Sequence, residues 1–225
     1  MPVPSTKDSL NRLSAKERIY STIRDWIIEG VLEPNEKLSD VELSEYFSVS
    51  RTPVREAFQL LAAQKLVRVL PGKATIVADI KPDNLREWYL PLAHLQALAA
   101  ELACQRLDDK QIDELELLNQ RFAQTIRTGE IAASLKADAA FHRKILDLAG
   151  NQYITEFSET LLLHVQRIEY AFFRQAKGLE QSVRAHADLI AALRRRDAQA
   201  AGFLMKNNWL LTMERFEQEL ADKKV

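Results

Sequence analysis

The sequence predicts a mainly α protein in two parts: three short helices closed by a β-hairpin, then an all-α bundle of about six helices. Three observations carry this. Apolar residues recur at helical spacing along most of the 225 residues, the pattern of helices with one buried face. A strand–turn–strand signal is confined to Leu66–Leu70, Pro71-Gly72-Lys73 and Thr75–Ala78. Only six Gly and seven Pro interrupt the chain, too few for a turn-rich all-β fold. Hydrophobic residues make up 47% and charged residues 28%, which supplies a core and excludes a disordered chain.

The elements follow in order. Residues 1–12 read as a flexible tail and 13–79 as the first domain. From Lys16 to Glu29, Ile19, Tyr20, Ile23, Trp26 and Ile27 mark a helix that Gly30 stops. Ser39 and Glu42 have capping-box spacing and open a short helix carrying Val41, Leu43, Tyr46 and Phe47. Ser50 is expected to cap a third helix. Pro53 is tolerated in its first turn, where the N–H has no intrahelical partner. Val54, Ala57, Phe58, Leu61 and Ala62 form its apolar side.

Three helices and a hairpin describe a winged helix-turn-helix. The second helix of such a turn enters the major groove and reads bases with its first residues. Here those are Arg51, Thr52 and Arg55. An arginine fork matches guanine O6 and N7. Ser50, Thr52 and the helix-start N–H groups suit a backbone phosphate. Gly72 allows close approach of the hairpin tip, and Lys73 adds a charge there. The net charge of the whole chain is only -1. Locally, though, five bases stand against one acid between Arg51 and Lys73, enough to grip phosphate.

The stretch VSRTPVREAFQLLAAQKLV, after LEPNEKLSDVELSEYF, resembles the DNA-binding domain of GntR-family transcription regulators. That resemblance implies base and phosphate contacts from Arg51, Thr52 and Arg55, with the wing tip in a minor groove. Members often carry a basic residue where Val41 stands and Gly where Ala74 stands.

Residues 80–83 read as a linker and 84–222 as the second domain. Leu85, Trp88, Leu92, Leu95, Ala99 and Leu102 give its first apolar stripe. Asp108 caps a helix that stops at Gly129, and another runs from about Ile131 to Gly150. A longer helix is expected from Tyr153 to about Gln175. Two more cover roughly Glu180–Arg196 and Asp197–Ala221. Polar residues interrupt four of these stripes. Asp138 and His142 lie one turn apart on the inward face of one helix. His164, His186 and Asn208 lie on the inward faces of the next three. Burying one such group without a partner costs roughly 1–3 kcal/mol, so their convergence on a shared polar site is expected. Imidazole and carboxylate suit zinc, nickel or manganese. The ordinary alternative is a set of core polar groups satisfied by their neighbours.

The phrases DAAFHRKILDLAGNQYI and VRAHADLIAALRRRDAQAA resemble the FCD effector domain of the FadR branch of that family. In many members an Asp and three His bind a metal. Asp138, His142 and His186 match the first three, and the last His falls on Asn208. Members often show Arg where Leu92 stands. His164, Arg167 and Asn208 are the expected effector-pocket residues, and Arg174 is a further candidate to meet an anion.

The expected protein is therefore a ligand-responsive repressor, not an enzyme. The resemblance implies a homodimer on a palindromic or near-palindromic double-stranded DNA operator, sensing a small metabolite through its helical domain. A carboxylate effector with a divalent metal is the first reading. A metal-free regulator of an apolar effector such as an acyl-CoA is the second. A metal-dependent enzyme is the third, and it lacks the paired Glu-x-x-His motifs of di-iron bundles. With one cysteine, Cys104, no apolar run long enough to span a bilayer and no apolar signal core, a cytoplasmic location without membrane partners is expected.

Overall fold

The computed structural model describes residues 14–70, 72–80, 85–172 and 179–222. The expected tail, Pro71, Pro82, Asp83 and Arg174 lie outside the described residues. Internal contacts divide the chain into Met1–Asp79 and Ile80–Val225.

The first unit contains α1 (Ala15–Ile28), β1 (Lys37–Leu38), α2 (Asp40–Tyr46), α3 (Arg51–Ala63), β2 (Val67–Leu70) and β3 (Ala74–Val77). Helix α1 opens on a full capping box between Ser14 and Glu17, which satisfies two otherwise orphaned N–H groups. The box expected at Ser39 is only half made. Ser39 accepts from the Glu42 N–H at 3.3 Å, with no reciprocal bond from Glu42. Ile19, Ile23 and Ile27 of α1 meet Val54, Ala57, Phe58 and Leu61 of α3 in the core. Each large side chain there is worth about 1.5–3 kcal/mol when fully buried. The sheet has three strands rather than two, in the order β1-β3-β2, all antiparallel. Strand β1 pairs Lys37 with Ile76 and Leu38 with Thr75; two residues are too few to leave a period in the sequence.

The second unit holds α4 (Leu85–Cys104), α5 (Asp109–Thr128), α6 (Ile131–Ala149), α7 (Gln152–Phe172), α8 (Leu179–Arg194) and α9 (Ala198–Asp222). Helix α4 packs along α9 and also against α6 and α7. Its buried side is therefore wider than one stripe and includes Tyr89, Ala93, Gln96 and Ala100. A Cβ at Gly202 of α9 would run into the Glu101 side chain, so Gly lets these two helices approach. Ile80, expected in the linker, packs against this core.

Two stripes are rotated from those the spacing predicts, Ile154, Phe157, Leu161, His164, Ile168 and Phe172 in α7 and Ala201, Leu204, Met205, Asn208, Leu211 and Thr212 in α9. Along α7 the buried residues are Ile154, Ser158, Leu162, Val165 and Ile168, whereas Phe157 is 62% exposed. Along α9, Trp209 and Met213 are buried, and Leu211 faces outward. Apolar residues stand on more than one face of each helix, Phe157 and Leu211 among the exposed ones, and packing partners decide which face is buried. Among the described residues no helix is long and apolar enough to cross a membrane.

Candidate functional site

The first unit gathers charge at the start of α3. Ser50 occupies the N-cap position, but its hydroxyl makes no capping bond, contrary to expectation. Arg51 and Arg55 are 52% and 61% exposed at their side chains, and both lean on one acid. The Asp40 oxygens accept from Arg51 Nη2 at 2.9 and 3.0 Å, and Oδ2 also accepts from Arg55 Nε. The two guanidiniums, Arg55 foremost, hold the Asp40 carboxyl below the usual carboxylate range. Gly72 turns the chain at φ +67°, and the Lys73 N–H donates to the Leu70 carbonyl at 3.0 Å. Arg51, Arg55, Gly72 and Lys73 all line one open cleft of about 750 Å³, together with Asp40. Ser50 and Thr52 are exposed on either side of Arg51 in the chain.

The second unit gathers polar groups in its interior. Asp138 and His142 come from α6, His186 from α8 and Asn208 from α9. His142, His186 and Asn208 are buried. The two Nε2 atoms lie 3.3 Å apart. Asp138 oxygens lie 3.7 Å from that of His142 and 3.6 Å from that of His186. The Asn208 Nδ2 is 3.3 and 3.5 Å from the two nitrogens.

Asn119 of α5, which the sequence reading left unassigned, orients this cluster. Its Nδ2 donates to the Val183 carbonyl at 3.0 Å, so its Oδ1 is free to accept from His186 Nδ1 at 3.2 Å. His186 then carries its proton on Nδ1 and turns the Nε2 lone pair inward, the tautomer a metal ligand requires. The Phe141 ring stacks on His186 with centroids 3.9 Å apart and fixes the plane of the imidazole.

Burial sets the charge states. It pushes the Asp138 carboxyl up to about 7, with Arg215 opposing. It pulls His142 down to about 3, and it takes His186 well below its usual value, His142 adding to the effect. Glu169 is raised to about 8, first by burial and then by Asp138; it accepts from the Tyr89 hydroxyl at 3.3 Å.

This donor set fits a divalent cation. Asp138, His142 and His186 each offer a ligand atom within 4.8 Å of the others. Asp138 Oδ1 is buried with no hydrogen-bond partner among the described residues. The void bounded by Asp138, His142, Asn208, Glu169, Thr212 and Arg215 measures about 10 Å³, about one water-sized sphere.

Glu169, Thr212 and Arg215 line this void, and the sequence reading assigned none of them. Asn208, Thr212 and Arg215 follow one another at i, i+4 and i+7, which is a legible signal for a shared face. Glu169 carried no such signal, because the expected α7 stripe was rotated. Of the expected pocket residues, Asn208 reaches the void. His164 instead stacks on Trp88 with centroids 5.0 Å apart. Arg167 is buried in α7, and neither it nor His164 lines the void.

Comparison with known proteins agrees with both halves of this description. Residues 15–77 match the gntR family of bacterial regulatory proteins, and residues 91–209 match the FCD domain. The HTH-type transcriptional repressor RspR of Escherichia coli strain K12 is 30% identical over 186 residues, 82% of this chain and 81% of that protein. The HTH-type transcriptional repressor GlaR of the same strain is 27% identical over 210 residues, 90% of this chain and 96% of that protein. The structure of E. coli McbR/YncC shares the fold with a TM-score of 0.82 at 20% identity, over 93% of this chain and 100% of that one. This chain belongs to the GntR family of bacterial regulatory proteins: it is a DNA-binding transcription regulator with an N-terminal winged helix-turn-helix and a C-terminal FCD domain.

Proposed function

We propose that this regulator is a repressor whose helical domain holds one divalent cation and responds to a small carboxylate. The repressor assignment is supported by RspR and GlaR, both named as repressors. The observation that carries the metal reading is the buried convergence of one carboxylate and two Nε2 atoms, with Asp138 Oδ1 left without a hydrogen-bond partner among the described residues. Asp138, His142 and His186 would hold zinc, nickel or manganese, with Asn208 as a weaker fourth donor through its amide oxygen. A bound cation supplies a Lewis-acidic centre able to take up an effector carboxylate. Arg215 is the cationic side chain beside it and favours an anion over a neutral ligand. The void is about the size of one ion, and polar side chains outnumber Leu135, Leu179 and Trp209 around it, which favours a cation there over an apolar acyl chain.

On the DNA side, α3 would lie in the major groove. Arg51 and Arg55 would contact base edges, Ser50 and Thr52 phosphate, and Gly72 and Lys73 the backbone at the wing. Two chains would form a homodimer on a palindromic operator, since two-fold protein symmetry is mirrored in half-site symmetry. The effector would act by binding one arrangement of the protein better than another, by as much as its affinities for the two differ.

A thermal-shift screen of small carboxylates, with and without zinc, nickel or manganese, tests this reading. Carboxylates that stabilise only with metal present are expected, and the same compounds should release operator DNA in a mobility-shift assay. Stabilisation by carboxylates that ignores metal altogether would overturn it.

A further inference from the structure

We infer that Asp40 is a positioning residue for DNA reading: it holds Arg51 and Arg55 as one pre-aimed pair and so sets the ratio of specific to non-specific binding. This rests on the reading of α3 as the DNA-contacting helix. Asp40 is the first residue of α2, Arg51 the first of α3 and Arg55 follows one turn later. One carboxylate thus ties two helices and two arginines together across the turn. Its side chain is only 19% exposed, while both arginines reach into the open cleft.

The geometry leaves the right donors over. A guanidinium has five N–H donors in a rigid fork. Asp40 engages Arg55 through Nε, and both Arg55 Nη groups lack a partner among the described residues. That end-on pair is the one that matches guanine O6 and N7. Arg51 is engaged through Nη2, which leaves Nη1 and Nε. Each side chain surrenders rotamer freedom before DNA arrives, so less is lost on binding. The charge balance matters as well. Two arginines and one aspartate carry +1 together, not +2, and the acid repels any phosphate that would slip between the guanidiniums. Asp40 therefore weakens indiscriminate phosphate binding and favours the aligned base contact.

The alternative is that Asp40 merely supports the α2 N-terminus, where an acid is favourable. Salt dependence and sequence discrimination separate the two. A duplex enriched by the wild-type protein from a randomised library serves as the specific probe, and a scrambled duplex of equal length as the non-specific one. Binding of both is measured across a salt series for wild type, Asp40→Asn, Asp40→Ser and Asp40→Glu, with melting curves as the folding control. For Asn and Ser, binding to the scrambled duplex should tighten and the salt slope steepen by about 0.9, one added phosphate contact. The specific-to-non-specific ratio should fall about tenfold, and Glu should restore most of it. A wild-type ratio and slope in Asn and Ser, with binding lost in Arg51→Ala and Arg55→Ala, would reduce Asp40 to a helix-start acid. Loss in Asn without rescue by Glu would also overturn the inference, since charge would not be the cause. If both arginine variants bind like wild type, the DNA-reading role of α3 falls, and this inference with it.

Discussion

The clusters around Asp40 and Asp138 use similar chemistry in opposite solvents. At the start of α3 one carboxylate meets two guanidiniums, all in contact with water, and the pairing holds Asp40 in its charged form. In the helical domain one carboxylate meets two imidazoles away from water, and burial drives all three toward neutrality. The exposed cluster is complete as it stands and offers its surplus positive charge to an anion. The buried cluster offers converging lone pairs and no surplus charge, and in the proposed reading a cation would complete it. The same contrast explains their sizes: an open cleft suited to a polymer, and a void about the size of one ion.

Removing a donor from either side should break the contrast most sharply. Arg51→Ala or Arg55→Ala should each weaken operator binding by about 1–3 kcal/mol or more if the arginine makes a bidentate base contact. Both lie at an exposed helix start, so melting temperature should hardly move. A mobility-shift titration checks the first part and a thermal scan the second. On the buried side, His186→Ala should abolish stabilisation by metal. In wild type, free metal at a hundred times its Kd should add about 2.7 kcal/mol, several degrees in Tm for a domain of this size. Thermal scans of both proteins with and without metal decide this.

Restoring a stronger donor should sharpen the contrast. Asn208→His places imidazole where an amide now faces both Nε2 atoms. Metal affinity should rise at least about tenfold, or about 1.4 kcal/mol, as read by competition with a chelator of known affinity. The smallest effect is expected at the wing. Lys73→Ala should weaken specific and scrambled duplexes alike and lower the salt slope by about one, because a phosphate contact carries no sequence information.

How much of this was legible depended on whether the signal was local. The helices of the bundle were visible as periodic stripes, and Asp138 with His142 as a pair one turn apart. His186 and Asn208 were visible as polar breaks in apolar faces. The pairing of Asp40 with Arg51 and Arg55 was not, since it joins residues separated by the Ser48–Val49 turn and depends on the angle between two helices. Asn119 looked like one more polar residue on an amphipathic helix; its role exists only because α5 packs against α8. Glu169 was hidden by the one-position rotation of the α7 stripe, which depends on how α7 packs against α4 and α6, not on its own spacing alone.

Burial also sets the pH dependence that the metal reading predicts. Unperturbed histidines would make metal affinity fall below about 6.5. His142 instead stays neutral down to about 3, and Asp138 holds its proton up to about 7. In the proposed site metal would bind the carboxylate form, so the proton competing with it would sit on Asp138. Affinity should be flat above about 7 and lose about tenfold per pH unit below it.

Calorimetric titration of the chelator-stripped protein with zinc, nickel and manganese, repeated at several pH values, tests the metal reading most directly. One ion per chain, lost in His186→Ala and weakening as pH falls through about 7, is the result expected from the Asp138, His142 and His186 geometry. No heat and no stabilisation with any of the three metals, in wild type and in Asn208→His alike, would show that the cluster is a polar core and not a metal centre.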